Sequence, residues 1–180
     1  MDTVEFISQS LEQVHVRLVG TCDGLNDEEA AWRPKPHANN IGFILWHVAR
    51  GEDHHINRLR ATRPDLWESE GWYERFDHPV DRPDPGDRMG LHALPVPSLS
   101  VLMGYIEATH WQTRRYLSTL TADALGDAVP SQPELIIAAS LRHLITHKNN
   151  HHGQIDFIRG LQDETWDLRP GTGVVLPPSP

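Results

Sequence analysis

Apolar residues recur at spacings of three and four over four separate stretches of the chain, and each stretch is long enough for several helical turns. The first covers about residues 3–22, with Ile7, Leu11, Val14 and Leu18 as its stripe, and ends at the turn signal Cys22-Asp23-Gly24. Asp27-Glu28-Glu29 then opens a short helical turn that stops before Pro34. The second long helix runs from about Asn40 to Ala61, with Asn39 or Asn40 as N-cap. Its apolar face holds Ile41, Ile44, Leu45, Val48 and Ile56, and His47 lies among them. The third runs from about Ser98 to Leu120, with Leu102, Ile106, Thr109, Tyr116 and Leu117 inward. The fourth follows the break at Pro130 and Pro133 and runs from about Glu134 to Leu161, carrying Ile137, Leu141, Leu144, Ile155 and Ile158. No convincing strand pattern competes with these helices. The economical fold is all-α, a four-helix bundle with a long proline-rich connection between helices 2 and 3.

That connection, from Arg63 to Pro97, contains Pro64, Pro79, Pro83, Pro85, Pro95 and Pro97, which exclude a long helix. Leu66, Trp67, Trp72, Tyr73 and Phe76 give it apolar anchors that a plain linker lacks. It packs over the bundle as a lid or flank, or its aromatics close the end of the core. The helical domain is expected over 1–166, with an extended tail over 167–180.

A chain of 180 residues is most simply one domain with a core of its own. One cysteine, Cys22, excludes an internal disulfide, and its place near the end of an amphipathic helix fits a small core or boundary residue. No secretory signal pattern and no apolar run of membrane-spanning length is present, so the expected location is soluble and cytoplasmic. The net charge of −9 argues against nucleic acid as a partner. Arg58, Arg60 and Arg63 form a short basic cluster that a helix C-terminus is enough to explain.

The candidate chemistry lies in the twelve histidines. His147 and His151 are one turn apart on helix 4, about 40° from each other around the axis, so both imidazoles leave the same face. That face is the apolar one, and a buried imidazole needs a partner for its nitrogens. The pair is either half of a metal site or two imidazoles bonded to groups on neighbouring helices. A zinc-protease reading is excluded, because Lys148 stands where that motif has its glutamate. A third ligand is best supplied by His47 from the inward face of helix 2. His54 is about 10 Å further along that helix and cannot join it, so His54 and His55 read as supporting or surface residues. His143, one turn before His147, is a substitute ligand, His110 on helix 3 a weaker one, and His152 is rotated about 100° away.

Two segments, Ile41-Gly42-Phe43-Ile44-Leu45-Trp46-His47-Val48-Ala49-Arg50-Gly51-Glu52-Asp53 and His147-Lys148-Asn149-Asn150-His151-His152-Gly153-Gln154-Ile155, together resemble the two motifs of the DinB-like (DinB/YfiT) metalloenzyme family. The stretch from Trp67 to Phe76 is similar to the segment after helix 2 in one branch of that family. The resemblance reaches nearly to Leu161, with His152 departing from the basic residue that many relatives carry there. It implies a four-helix bundle, often a homodimer, that holds one divalent metal with His47, His147 and His151. It also implies the use of a low-molecular-weight thiol such as mycothiol or bacillithiol as cosubstrate.

Three neutral imidazoles leave coordination positions open, as in catalytic rather than closed structural sites. Zinc is the first expectation for the ion, with nickel or ferrous iron as alternatives. The function expected from the resemblance is a metal-dependent, thiol-using transferase or hydrolase acting on a small electrophilic substrate, whose cavity the Trp67 to Phe76 segment helps to shape. A non-catalytic stress-associated or binding protein with a structural metal is the alternative, and a metal-free bundle with a hydrogen-bonded histidine core is a third. No general base is identifiable, although Glu52, Asp53 and Asn150 stand near the motifs.

Overall fold

The computed structural model describes residues 1–61, 64–81 and 83–167. The expected tail therefore lies, from Leu168 onward, outside the described residues, as does Arg63 of the basic cluster.

The first three helices of the chain begin where short polar side chains take over unpaired backbone N–H groups. Asp2 starts α1 (Thr3–Thr21) by accepting from the Glu5 amide at 2.8 Å. Asn26 and Glu29 form a reciprocal capping box at α2 (Asp27–Ala31). Asn40, not Asn39, caps α3 (Ile41–Leu59), accepting from the Phe43 amide at 2.8 Å. The long connection folds into three short helices, α4 (Leu66–Ser69), α5 (Trp72–Phe76) and α6 (Arg88–Ala93). Then come α7 (Leu99–Leu117), a 3-10 turn (Asp123–Gly126) and α8 (Ile137–Gln162).

One expectation fails between α7 and α8. The chain there forms a small antiparallel hairpin, β1 (Ala128–Val129) with β2 (Gln132–Ile136), so the last helix starts at Ile137 and not at Glu134. The Ile137 amide donates to the Asp127 carbonyl at 3.0 Å, which holds the preceding residues extended. Two strands this short leave no readable alternation in sequence.

The mainly helical fold is the expected class. Helix α3 packs against α7 and α8, and α1 packs against α8 and α7, so α1 and α3, the first two long helices in sequence, face each other diagonally. Two apolar clusters fill the interior. Helices α1 and α8 run from the cluster of Leu11, Leu141 and Leu144 to the cluster of Leu18, Ile44 and Ile155, whereas α3 and α7 run the opposite way. Neighbours α3 and α7 are thus parallel, and the chain must return the length of the bundle between them. That is why the connection is long. Its aromatics close the core: Trp67, Trp72 and Phe76 are buried in the first cluster. Asp53 fastens the segment to α3 by accepting from the Leu66 and Trp67 amides at 3.1 and 2.9 Å, and Arg50 adds an ion pair with Asp65 at 3.0 Å.

Between the two clusters every long helix contributes a buried polar residue: His15 from α1, Glu52 from α3, Thr113 and His110 from α7, and Lys148 from α8. The Lys148 Nζ donates to Glu52 Oε2 at 2.7 Å, and the Thr113 hydroxyl donates to Glu52 Oε1 at 2.7 Å. His15 and His110 stack at 3.6 Å between ring centres and reach outward to Glu107 and Glu12 respectively. Burial alone would push the Glu52 carboxyl up, but the Lys148 ammonium beside it holds it well below the usual carboxylate range. The pair links α8 to α3 at this level of the core.

Candidate metal centre

On either side of Lys148 in the chain, His147 and His151 of α8 stand opposite His47 of α3. His147 Nε2 lies 3.1 Å from His47 Nε2, and the ligand nitrogens of His47, His147 and His151 all fall within 4.8 Å of one another. The rings meet edge to face or tilted, with centres 4.5 to 5.0 Å apart. Among the described residues this is the one group of three or more histidine, cysteine or carboxylate side chains placed to hold a single ion.

All three imidazoles are half-buried, on the flank of the apolar stripe and not at its centre. The centre at that level is Lys148, fully buried in line with Leu141, Leu144 and Ile155. The expectation that the pair points inward thus needs correction, because the rings sit where the α3 and α8 surfaces meet a cavity. Gly51 makes room for one of them: a Cβ built there would lie 3.2 Å from His147 Cε1. Phe43, one turn before His47, lies nearly parallel to its ring at 6.3 Å.

The protonation states suit ligation. Burial, reinforced by the neighbouring His151, His47, His143 and His55, pushes His147 down to about 3, so its ring is neutral at physiological pH. Burial also lowers His151, although a hydrogen bond to Gln154 works the other way. His151 Nδ1 donates to Gln154 Oε1 at 2.9 Å, which fixes the proton there and leaves Nε2 with a free lone pair. With metal–nitrogen bonds of about 2.0 to 2.1 Å, two ligands on one ion stand roughly 3.0 to 3.4 Å apart, and the His47–His147 separation matches that range. The donor set fits a divalent transition metal.

The other sequence candidates are placed elsewhere. His143 is exposed, with its ring 5.5 Å from His147 and 4.9 Å from His55, and it does not join the group. His55 Nδ1 pairs with the Ser140 hydroxyl at 3.2 Å, and His54 packs beside His55. His110 belongs to the polar layer, and half-buried His152 lies outside the group. Neither acid near the motifs is free to act as a base: Glu52 is committed to Lys148, and Asp53 to two backbone amides and the Tyr105 hydroxyl. Asn150 is exposed. Cys22 is buried in the core as expected, its thiol pushed up to about 12 by burial.

A cavity of about 200 Å³ opens onto His47 and His151, walled by Phe43, Ile44, Trp46 and, from the long connection, Pro83, Pro85 and Leu91. The wall from the connection thus comes from its later half, not from Trp67 to Phe76. Sequence reasoning also passed over Lys148, Gly51 and Gln154. Lys148 carried a signal, since it falls on the apolar stripe at the spacing 144, 148, 155. Among the described residues, no helix is long and apolar enough to cross a membrane.

A search of curated proteins gives no match. Among solved structures the chain is similar to the crystal structure of a conserved protein from Enterococcus faecalis, at 26% identity and a TM-score of 0.76, covering 89% of this chain and 97% of the other. The sequence model of the DinB superfamily matches residues 10–155, which include His47, His147 and His151. The chain belongs to the DinB superfamily.

Proposed function

We propose that this protein is a metal-dependent enzyme that binds one divalent transition metal, zinc in the first instance, through His47, His147 and His151. It uses a low-molecular-weight thiol as cosubstrate to attack a small electrophilic substrate, as a transferase or hydrolase. The observation that carries this reading is that the three imidazoles converge and that two of them, His47 and His151, face a cavity of about 200 Å³ instead of being sealed in the core. A structural site would be closed.

The chain's own residues define what the site does. Gln154 holds His151 in one tautomer, and Gly51 gives the His147 ring its position. Phe43, Ile44 and Leu91 present apolar surface that displaces water around a bound substrate. When bound, the metal supplies a Lewis acid that lowers the pKa of a coordinated thiol or water. No carboxylate is among the described residues lining the cavity, so a water nucleophile has no base beside it. A thiol, closer to ionisation at neutral pH, needs less help, which favours the thiol-using reading.

Metal analysis of protein purified without a histidine tag tests the first claim. About one equivalent per chain is expected, and a His151→Ala variant loses it; no metal, or full retention in that variant, removes the proposed site. Cobalt substitution tests the second. Added thiol changes the visible spectrum if the ion is reachable, and a spectrum indifferent to both thiols and azide returns the site to a structural role.

A further inference from the structure

The cavity at the histidines does not end there. A second hollow of about 510 Å³ adjoins it and shares the side chains of Asn39, Phe43, Pro85 and Leu91 as a common wall. The two form one cleft with unlike ends. The inner end carries the imidazoles, the middle is apolar, and the outer end is lined by His37, Arg88 and His92.

The outer end is positively charged and uncompensated. Arg33 lies behind it, with Nη1 donating to the Ala38 carbonyl at 2.7 Å, Nη2 donating to the His92 carbonyl at 3.2 Å, and Nη1 3.3 Å from His92 Nδ1. Its guanidinium is thus held by neutral groups. Among the described residues neither Arg33 nor Arg88 has a carboxylate within ion-pair distance. The acids nearest Arg88 in sequence accept from backbone amides, Asp84 from Gly86 and Asp87 from Gly90, both at 2.8 Å, and neither lines the hollow. Burial, and then Arg33, His37 and Arg88, lower the proton affinity of the His92 ring, so the charge at this end is that of the two guanidinium groups and His92 offers a neutral hydrogen-bonding ring. In a chain of net charge −9, a pocket rim of this sign is a local exception that attracts anions.

We propose that Arg33, His37, Arg88 and His92 form an anion subsite for the tail of the substrate or thiol cosubstrate. The ligand is then an amphipathic small molecule: a carboxylate or phosphate ester at the outer end, an apolar span along Phe43 and Leu91, and the reacting group at the three histidines. The assignment of the reacting end rests on the proposed function, whereas the anion subsite does not.

Titration calorimetry on chelator-treated protein separates the two, because the probe then has no metal to bind. The probes are hexanoate and hexyl phosphate, with hexanol and hexylammonium as controls. Both anions bind about ten-fold or more tightly than either control, a difference of about 1.4 kcal/mol. Their binding weakens as sodium chloride is raised, because an exposed charged site is screened. Which anion binds tighter distinguishes a carboxylate from a phosphate ester. Arg88→Glu weakens both by about three-fold or more, the scale of an exposed ion pair, and His37→Ala acts in the same direction. Arg88 is exposed and its side chain holds no other element in place, so its replacement leaves the fold intact. Hexanoate and hexyl phosphate binding no better than hexanol, or binding unaltered by both substitutions, overturns the subsite. A positive result with metal analysis negative keeps the subsite and removes only the reading of the histidines.

Discussion

Replacing Lys148 with Met removes the ammonium that Glu52 faces while keeping the shape of the buried stem. The parent pair is sealed, with both side chains at 1% exposure or less and the ion contact at 2.7 Å. Breaking such a pair by deleting one partner typically destabilises by about 3 to 5 kcal/mol. Glu52 has an escape, however, since it can take up a proton and become neutral. Holding a carboxyl of ordinary pKa near 4.3 in its protonated form at pH 7 costs about 3.7 kcal/mol, at about 1.4 kcal/mol per unit, and this caps the ionic part of the loss. At pH 5 the same cap falls to about 1 kcal/mol. The signs follow from the two pKa values. In the parent, Glu52 is depressed when folded, so its stabilisation is present above the unfolded value and lost as pH falls. In the variant it is raised, so stability is lost as pH rises through the unfolded value toward the folded one. The difference in stability between parent and variant should therefore be large at pH 7 and shrink by about 2 to 3 kcal/mol at pH 5, measured by urea denaturation followed through tryptophan fluorescence. His15 Nδ1, 3.5 Å from Lys148 Nζ, can take the proton in place of Glu52. That relocates the proton uptake without changing its sign. The double variant Lys148→Met, Glu52→Leu leaves no buried charge at the centre of this layer, and Thr113 keeps its bond to the Thr109 carbonyl. It should recover most of the loss. A single variant within about 1 kcal/mol of the parent at pH 7, or a double variant as unstable as the single, would refute the account of the layer.

Four further outcomes follow from the site. Gly51→Ala should leave stability unchanged or raise it by up to about 1 kcal/mol in denaturation, through helix propensity. The new Cβ crowds His147, so the same variant should bind zinc several-fold more weakly in a competition assay with a chelating dye, and unchanged affinity would mean that His147 is free to shift. Gln154→Ala should weaken zinc binding by about 10- to 100-fold, as for other partners of metal-bound histidine, with metal analysis as the check. Metal-free protein should lose stability as pH falls from about 6.5 toward 3, because His147 is about 3 when folded and near 6.5 when unfolded, so the unfolded chain binds more protons there. His147→Asn should flatten that slope, and equal slopes would exclude a neutral, half-buried ring. A homodimer is the assembly that the family resemblance implies; light scattering giving the mass of one 20.4 kDa chain would remove it.

The fold was legible where periodicity was sustained. The apolar stripe of Ile7, Leu11, Val14 and Leu18 is buried throughout, and so are the stripes of α3 and α8. The cap of α3 was legible too, apart from the choice of Asn40 over Asn39. The hairpin before α8 was not, because Leu135, Ile136 and Ile137 fit a strand end and a helix start equally well over so few residues. The path of the long connection was half legible. Its aromatics announced burial, but only the parallel placement of α3 and α7 explains why the chain must cross back, and that placement is a property of the assembled core.

The three clustered histidines and the groups that position them differ in the same way. Histidines at i and i+4 declare a shared face, a third histidine on another inward face offers to complete the set, and the family resemblance singles out His47 for that place. The position of the set is another matter. A lysine beside a ligand reads as solvated, yet Lys148 occupies the stripe and its neighbours His147 and His151 take the flank. The two facts are one consequence of geometry. If the centre of the α8 stripe is filled by an ammonium tied to Glu52, the residues 100° and 60° away from it around the helix must lie at the edge of the core, where α3 and a cavity meet them. A leucine at position 148 would bury the same area without needing one fixed partner on α3, and α8 could then slide or rotate on its neighbours. The buried pair opposes that freedom, and it keeps the imidazoles of His147 and His151 beside that of His47, with His147 Nε2 3.1 Å from His47 Nε2 and the ligand nitrogens of all three within 4.8 Å of one another.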